Sequence, residues 1–498
     1  MKNIYIRKIQ ILFGVLLLVS CSDILDETPD NRTTIDTPDK IAELLVAAYP
    51  EAAYVSFLEP MSDNAGDKGS SATVEFRVNE EMYFWRDLND IDTDTPTNYW
   101  NEAYKAIAQA NQALASIEEL GDGIELSALK GEALLCRAYA HYMLVNIFSK
   151  AFNPSTSSSD LGIPYVLEPE TVLLADYERG TVADVYANIQ KDLEEGLPLI
   201  QDNYEIKAFH FTKKAASAFA SRFYLTVGDW EKVIEHSNIA LGDGNTLAVL
   251  RNIASSSNLT FNEQVALYTS STVEPANLLL VTGSSLYNRI DARARYQMAP
   301  NIVNNLFNSA NITGKGWAYS LFFRGGSDNN FIPKYQEYFR VTNQAAGIGI
   351  PFVTFVLFST DEALLNRAEA YAMLGQYENA TNDINMSLAV KTDGYNPSTD
   401  TLTPEDIAAI YQGVPTDLYT PFYTISNEAL PFVSAVLDIK QTVFYNEGLR
   451  WFDVKRHNIA IEHLDFFGNS YELPKGDNRR AVQIPEAAQS FGVEANPR

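Results

Sequence analysis

The sequence predicts a mostly α protein in which irregular helical hairpins form the scaffold and large loop-rich insertions, carrying little β structure, interrupt them. Two observations predict it. Residues 215–241, AASAFASRFYLTVGDWEKVIEHSNIAL, place Ala216, Ala220 and Tyr224 at four-residue steps, break at Gly228-Asp229, and restart an apolar face with Trp230, Val233, Ile234 and Leu241. The same roles recur 147 positions later in Tyr371, Gly375, Tyr377, Ala380 and Leu388.

This hairpin resembles the tetratricopeptide (TPR) pattern, whose units cannot bury an apolar face alone and stack on neighbours. Four such pieces are expected, at about 101–148, 183–241, 361–390 and 430–458. Their spacing is far wider than the roughly 34 residues of a tandem array. Insertions at about 61–100 and 245–350 therefore separate them, and function is expected there rather than in the scaffold.

From the start, Lys2, Arg7 and Lys8 precede an apolar run over residues 9–19, too short for the roughly 20 residues that span a bilayer. Residues 1–20 read as a signal peptide. Leu18-Val19-Ser20-Cys21 resembles the lipobox of bacterial lipoproteins, which implies acylation of Cys21 and anchoring by lipid alone. Residues 21–40 are polar and acidic and read as a tether; residues 41–498 read as one domain. Cys136, mid-helix and apolar in setting, reads as a buried small hydrophobe.

Charge narrows the function classes. Residues 22–100 hold 18 Asp or Glu against 5 Lys or Arg, and loss of the three basic signal residues takes the formal charge from −27 to −30. Such a surface repels phosphate backbones, so nucleic acid is not an expected partner.

Catalytic signatures are missing from the sequence. It contains no nucleophile elbow, HExxH, phosphate-cradling GxxxxGK or spaced Cys/His cluster. Of the five histidines, His457 and His463 are six apart and cannot share a helical face as metal ligands. No catalytic residue, metal or cofactor is assigned, and the protein is expected not to be an enzyme. Aromatic residues in polar, non-periodic stretches point elsewhere. A pyranose stacks its C–H face on Trp or Tyr while Asp, Asn and Arg meet its hydroxyls. Tyr83 and Trp85 with Asn89 and Asp90 in the first insertion, and Tyr287, Arg289 and Tyr296 in the second, have that composition.

The C-terminal third adds a family resemblance. Glu447-Gly448-Leu449-Arg450-Trp451-Phe452-Asp453-Val454-Lys455-Arg456 resembles the EG-x-R-W-x-D-[LV]-K-R signature of SusD/RagB-family proteins. The lipobox, the WNEAYKAIAQAN helix, GIPYVLEP, Lys334-Tyr335 and Gln483-Ile484-Pro485-Glu486 agree in order. Where many relatives carry Glu-Arg-Arg this chain has Asp438-Ile439-Lys440. The resemblance implies a SusD-like fold of four irregular TPR pairs and a lipid-anchored lipoprotein on the outer-membrane cell surface. It further implies capture of oligosaccharide and delivery to a SusC-like TonB-dependent transporter. By the same resemblance, Ser62-Asp63-Asn64 and Tyr83-x-Trp85 align with ligand-lining positions; with Asn89, Tyr287, Arg289 and Tyr296 added on composition, the expected glycan residues are Asp63, Asn64, Tyr83, Trp85, Asn89, Tyr287, Arg289 and Tyr296. Arg450, Trp451 and Asp453 are expected to be structural, through packing and an Arg–Asp pair. The alternatives are capture of a peptide or glycoprotein by the same uptake complex, and a TPR protein-interaction scaffold.

Overall fold

The computed structural model describes residues 35–121, 123–169 and 177–498. The signal peptide, Cys21 and most of the tether lie outside the described residues. The tether's last residues are already helical: α1 (Pro38–Leu45) starts on a proline after Thr37, whose side chain accepts from the Lys40 amide at 3.4 Å. Helix α2 (Val55–Met61) follows, then strand β1 (Gly66–Asp67) and α3 (Arg77–Tyr83).

The first scaffold pair is α4 (Pro96–Leu120) and α5 (Ile124–Phe148), both longer than their periodicity suggests. Thr95 caps α4, Pro96 occupies its first turn and Gly121, at φ +93°, ends it. The C-terminal two-thirds of α5 is buried on every side, Cys136 included, so α5 is the central helix of the core. Helix α6 (Val182–Gly196), closed by a Thr181/Asp184 capping box, packs against it.

The hairpin read first from the sequence is α7 (Lys213–Val227) and α8 (Trp230–Leu241). Gly228 adopts φ +77° at the end of α7, and Asp229 caps α8 through the Lys232 amide. Its counterpart is α9 (Thr360–Met373) and α10 (Tyr377–Ala389); α9 packs on α8. The buried bidentate pair Arg222–Glu362, both contacts 2.6 Å, ties α7 to α9. The last pieces are α11 (Pro404–Ile410), α12 (Leu430–Val443) and α13 (Arg450–Arg456).

Strands are few. β2 (Asn277–Ser284), β3 (Tyr296–Gln297), β4 (Phe322–Phe323), β5 (Asn330–Phe331), β6 (Glu337–Asn343) and β7 (Ile348–Ser359) belong to the second insertion; β8 (Ile461–Leu464) and β9 (Ser470–Leu473) follow α13. The sheet β2-β7-β6 is antiparallel, and β7 runs straight into α9, so the insertion is rooted in the scaffold. β1 pairs with β3, which joins the two insertions.

Candidate functional site

The two aromatic insertions meet on one face. Besides β1–β3, the Asn79 side chain exchanges two hydrogen bonds with the Tyr296 backbone, at 2.7 and 2.9 Å. The Lys68 ammonium donates to the Ala292 carbonyl at 2.6 Å, and the Thr73 amide to that of Arg293 at 3.1 Å. A third segment, the β8–β9 hairpin, completes the face and was not foreseen in the sequence.

At its centre four rings stack in the order Trp85, His463, Tyr83, Tyr296, with centroid separations of 4.4, 4.0 and 4.4 Å and interplanar angles of 14°, 7° and 24°. Arg479 lies over the outer face of Trp85 and Arg295 over Tyr296, each held by a carboxylate, Asp477 and Asp67 respectively. The His463 nitrogens lie 2.7 Å from the Tyr83 carbonyl and 2.8 Å from that of Ser62. Burial holds the His463 pKa below its ordinary value, while the two carbonyls and Asp63 oppose the shift.

Three of the expected residues, Tyr83, Trp85 and Tyr296, are therefore brought together, but as packed groups. Tyr83, Trp85 and Tyr296 are buried in the stack. The Trp85 indole donates to the Met61 carbonyl at 2.9 Å and the Tyr83 hydroxyl to that of Leu464 at 2.9 Å. Asn64 is fully buried and donates to Glu59 at 2.8 Å, in a carboxylate that also takes the Asn446 and Gly448 amides. Asp63 is chelated by Arg450 at 2.8 and 2.7 Å. Burial disfavours the Asp63 carboxylate, but the guanidinium outweighs it and holds the pKa below the usual range. The Arg–Asp pair of the signature is thus Arg450–Asp63, whereas Asp453 meets Arg456 at 2.9 Å and Lys440 at 3.6 Å. Trp451 is fully buried. Tyr287 is also fully buried, bonded to Asn446 at 2.7 Å. Exposed among the expected residues are Arg289, paired with Glu337 at 2.5 and 2.6 Å, and Asn89, bonded to Glu486.

What the stack supports is an exposed aromatic rim. The turn between β8 and β9 presents Phe466 and Phe467, 57% and 83% exposed. Asp465 accepts from the Phe467 and Asn469 amides at 2.9 and 2.8 Å, and Asp67 binds the Phe466 amide at 2.9 Å while chelating Arg295. The Phe466 ring lies flat on Gly69, where a Cβ would come within 2.2 Å of it, and Gly69 holds φ +55°. From Gly69 the face continues through Ser71, bonded to Asp328 at 2.7 Å, and Thr73, beside Gly325, to Arg293 and to Phe323, 70% exposed. A signal for the hairpin exists in the sequence: IEHL and SYEL alternate around DFFGN.

A helical-repeat scaffold thus carries a loop-built face of exposed aromatic and polar groups. The family model described as "Starch-binding associating with outer membrane", SusD-like, matches residues 23–225. "SusD-like protein P2" of Formosa agariphila is 25% identical over 253 residues, 48% of this chain and 46% of the relative, so the match spans about half of that protein's length. A SusD superfamily protein from Bacteroides thetaiotaomicron superposes with a TM-score of 0.65 at 18% identity, covering 93% of this chain and 100% of the other. A laminarin-binding SusD-like protein gives 0.57 at 16%, over 92% and 99%. Residues 23–225 thus match the SusD-like family model, and the chain shares its overall fold with these solved structures.

Proposed function

We propose that this protein is a cell-surface lipoprotein, anchored through Cys21, that captures oligosaccharide without turnover and passes it to a SusC-like TonB-dependent transporter. The observation that carries the reading is the exposed rim of Phe466, Phe467 and Phe323 beside Ser70, Ser71, Thr73 and Arg293. Exposed rings offer faces to pyranose C–H groups, each contact contributing about 1 kcal/mol, and the polar groups meet the hydroxyls. The family's description as starch-binding and the laminarin-binding neighbour support glycan over other cargo. The buried Tyr83, Trp85 and Tyr296 then act as the platform beneath the rim.

The test is affinity electrophoresis of the detergent-solubilised chain through gels holding single polysaccharides, followed by calorimetry. Phe466→Ala with Phe467→Ala should weaken binding by about 1–3 kcal/mol, roughly 5- to 150-fold, without moving the melting transition. Unchanged affinity overturns the assignment of the site. A second reading, a protein-interaction scaffold, draws on a groove of about 550 Å³ lined by Tyr377, Tyr411 and Phe432 on and beside α10–α12. It predicts a peptide ligand whose binding survives the Phe466/Phe467 change and falls with Tyr411→Ala.

A further inference from the structure

The second insertion is charged against the rest of the chain. Residues 287–342 hold seven Lys or Arg and three Asp or Glu, a formal +4 within a protein of −27. Each of the three carboxylates is engaged. Arg289 chelates Glu337, and Asp328 accepts from the Ser71 hydroxyl. Asp291 is buried, accepts from the Ala292 amide at 2.6 Å and lies 3.8 Å from Arg324. Burial pushes its carboxyl up to about 7, which weakens it further as a counterion at neutral pH.

Two guanidiniums are left over. Arg293 donates through Nε to the Arg289 carbonyl at 2.7 Å, which leaves both terminal nitrogens, and among the described residues no carboxylate lies within 4.0 Å of it. Its backbone is pinned by the Thr73 and Val74 amides, and a Cβ on Gly325 would lie 3.8 Å from its Cδ. Arg340, on the exposed strand β6, is likewise without a carboxylate, but it rests over Phe352 on the side of the strand opposite Glu337 and Phe339, which meet Arg289. Lys68, buried beneath the same backbone, adds a further positive charge, with burial lowering its pKa to about 8. The exposed carboxylates on the facing insertion are Glu75, Glu80, Asp87 and Asp92, and the Glu80 charge is felt at Arg295 and Tyr296. An unpaired, half-buried arginine held in place by this backbone suits a carboxylate or sulfate group on a sugar.

We propose that the oligosaccharide bound on this face is anionic, carrying uronate carboxylates or sulfate esters, and that Arg293 selects for that charge. The inference rests on the glycan-binding reading above. Gels holding polygalacturonate, chondroitin sulfate, laminarin or starch, run with the detergent-solubilised full chain, test both. Retardation confined to the acidic polymers, an affinity loss of at least about tenfold in Arg293→Gln with partial recovery in Arg293→Lys, and weakening as salt rises from about 50 to about 300 mM are expected. Arg340→Gln removes the same charge from the other side of β6 and should leave binding unchanged, which separates a local role of Arg293 from a general loss of charge. Equal binding of neutral polymers, or acidic binding indifferent to Arg293→Gln or lowered equally by Arg340→Gln, overturns the anionic assignment while leaving glycan capture standing. Silence across all four, with binding of a peptide pool, overturns both.

Discussion

His141 and His463 illustrate how partners decide what a side chain does. His141 is fully buried in α5, with Nδ1 2.8 Å from the Arg137 carbonyl and Nε2 accepting from the Val166 amide at 3.1 Å. A donor on one side and an acceptor on the other define a neutral ring, and burial pushes its pKa down to about 3. In the unfolded chain the ring takes a proton near pH 6.5, so its contribution to stability is complete above that value and is lost as pH falls toward 3. Urea unfolding of wild type and His141→Asn between pH 8 and 4 should show the wild-type advantage shrinking by about 1.4 kcal/mol per pH unit below 6.5. Parallel curves would mean that His141 does not titrate there. His463 instead faces two carbonyls, and a neutral ring donates to only one of them. Periodicity exposed neither difference, because the Val166 amide and the Tyr83 and Ser62 carbonyls come from other elements, for His463 from the far end of the chain.

At the scale of elements, the scaffold was legible and the β8–β9 hairpin was not. Helix ends announce themselves locally: Gly228 and Gly375 adopt φ +77° and +72°, and Thr95, Thr181 and Thr212 cap the helices that follow them. The hairpin is only four residues on each side, and its turn is meaningful only against Gly69. That contact gives a prediction. Gly69→Ala places a methyl group against the Phe466 ring at a backbone angle that disfavours side chains, so it should cost about 1–3 kcal/mol of stability and most of the glycan affinity. Adding Phe466→Ala removes the clash and should restore part of the stability but none of the binding. Glycan affinity unchanged in Gly69→Ala, measured by calorimetry, would take Phe466 out of the site.

In the whole molecule, the ring stack is a joint between distant segments: Trp85 and Tyr83 come from the first insertion, Tyr296 from the second, and His463 from beyond the last scaffold helix. Arg450–Asp63 makes a second joint, 387 positions apart in sequence. Truncating a large buried ring costs about 3–5 kcal/mol, so Trp85→Ala should lower the melting temperature clearly, with affinity falling only as the face loosens. Loss of affinity with an unmoved transition would instead make Trp85 a ligand contact reached through rearrangement of the rim.

The sequence by itself determined the helical scaffold, the family signature and the two insertions that carry the face, because helix period, caps and breaks are encoded within a few residues. It also identified which aromatic residues are unusual: Tyr83, Trp85 and Tyr296 do meet. Only the tertiary structure decided which rings are platform and which are rim. Burial depends on what the far end of the chain lays over a residue, and here His463 covers Tyr83 and Trp85 while Phe466 and Phe467, three and four residues further on, are left to solvent.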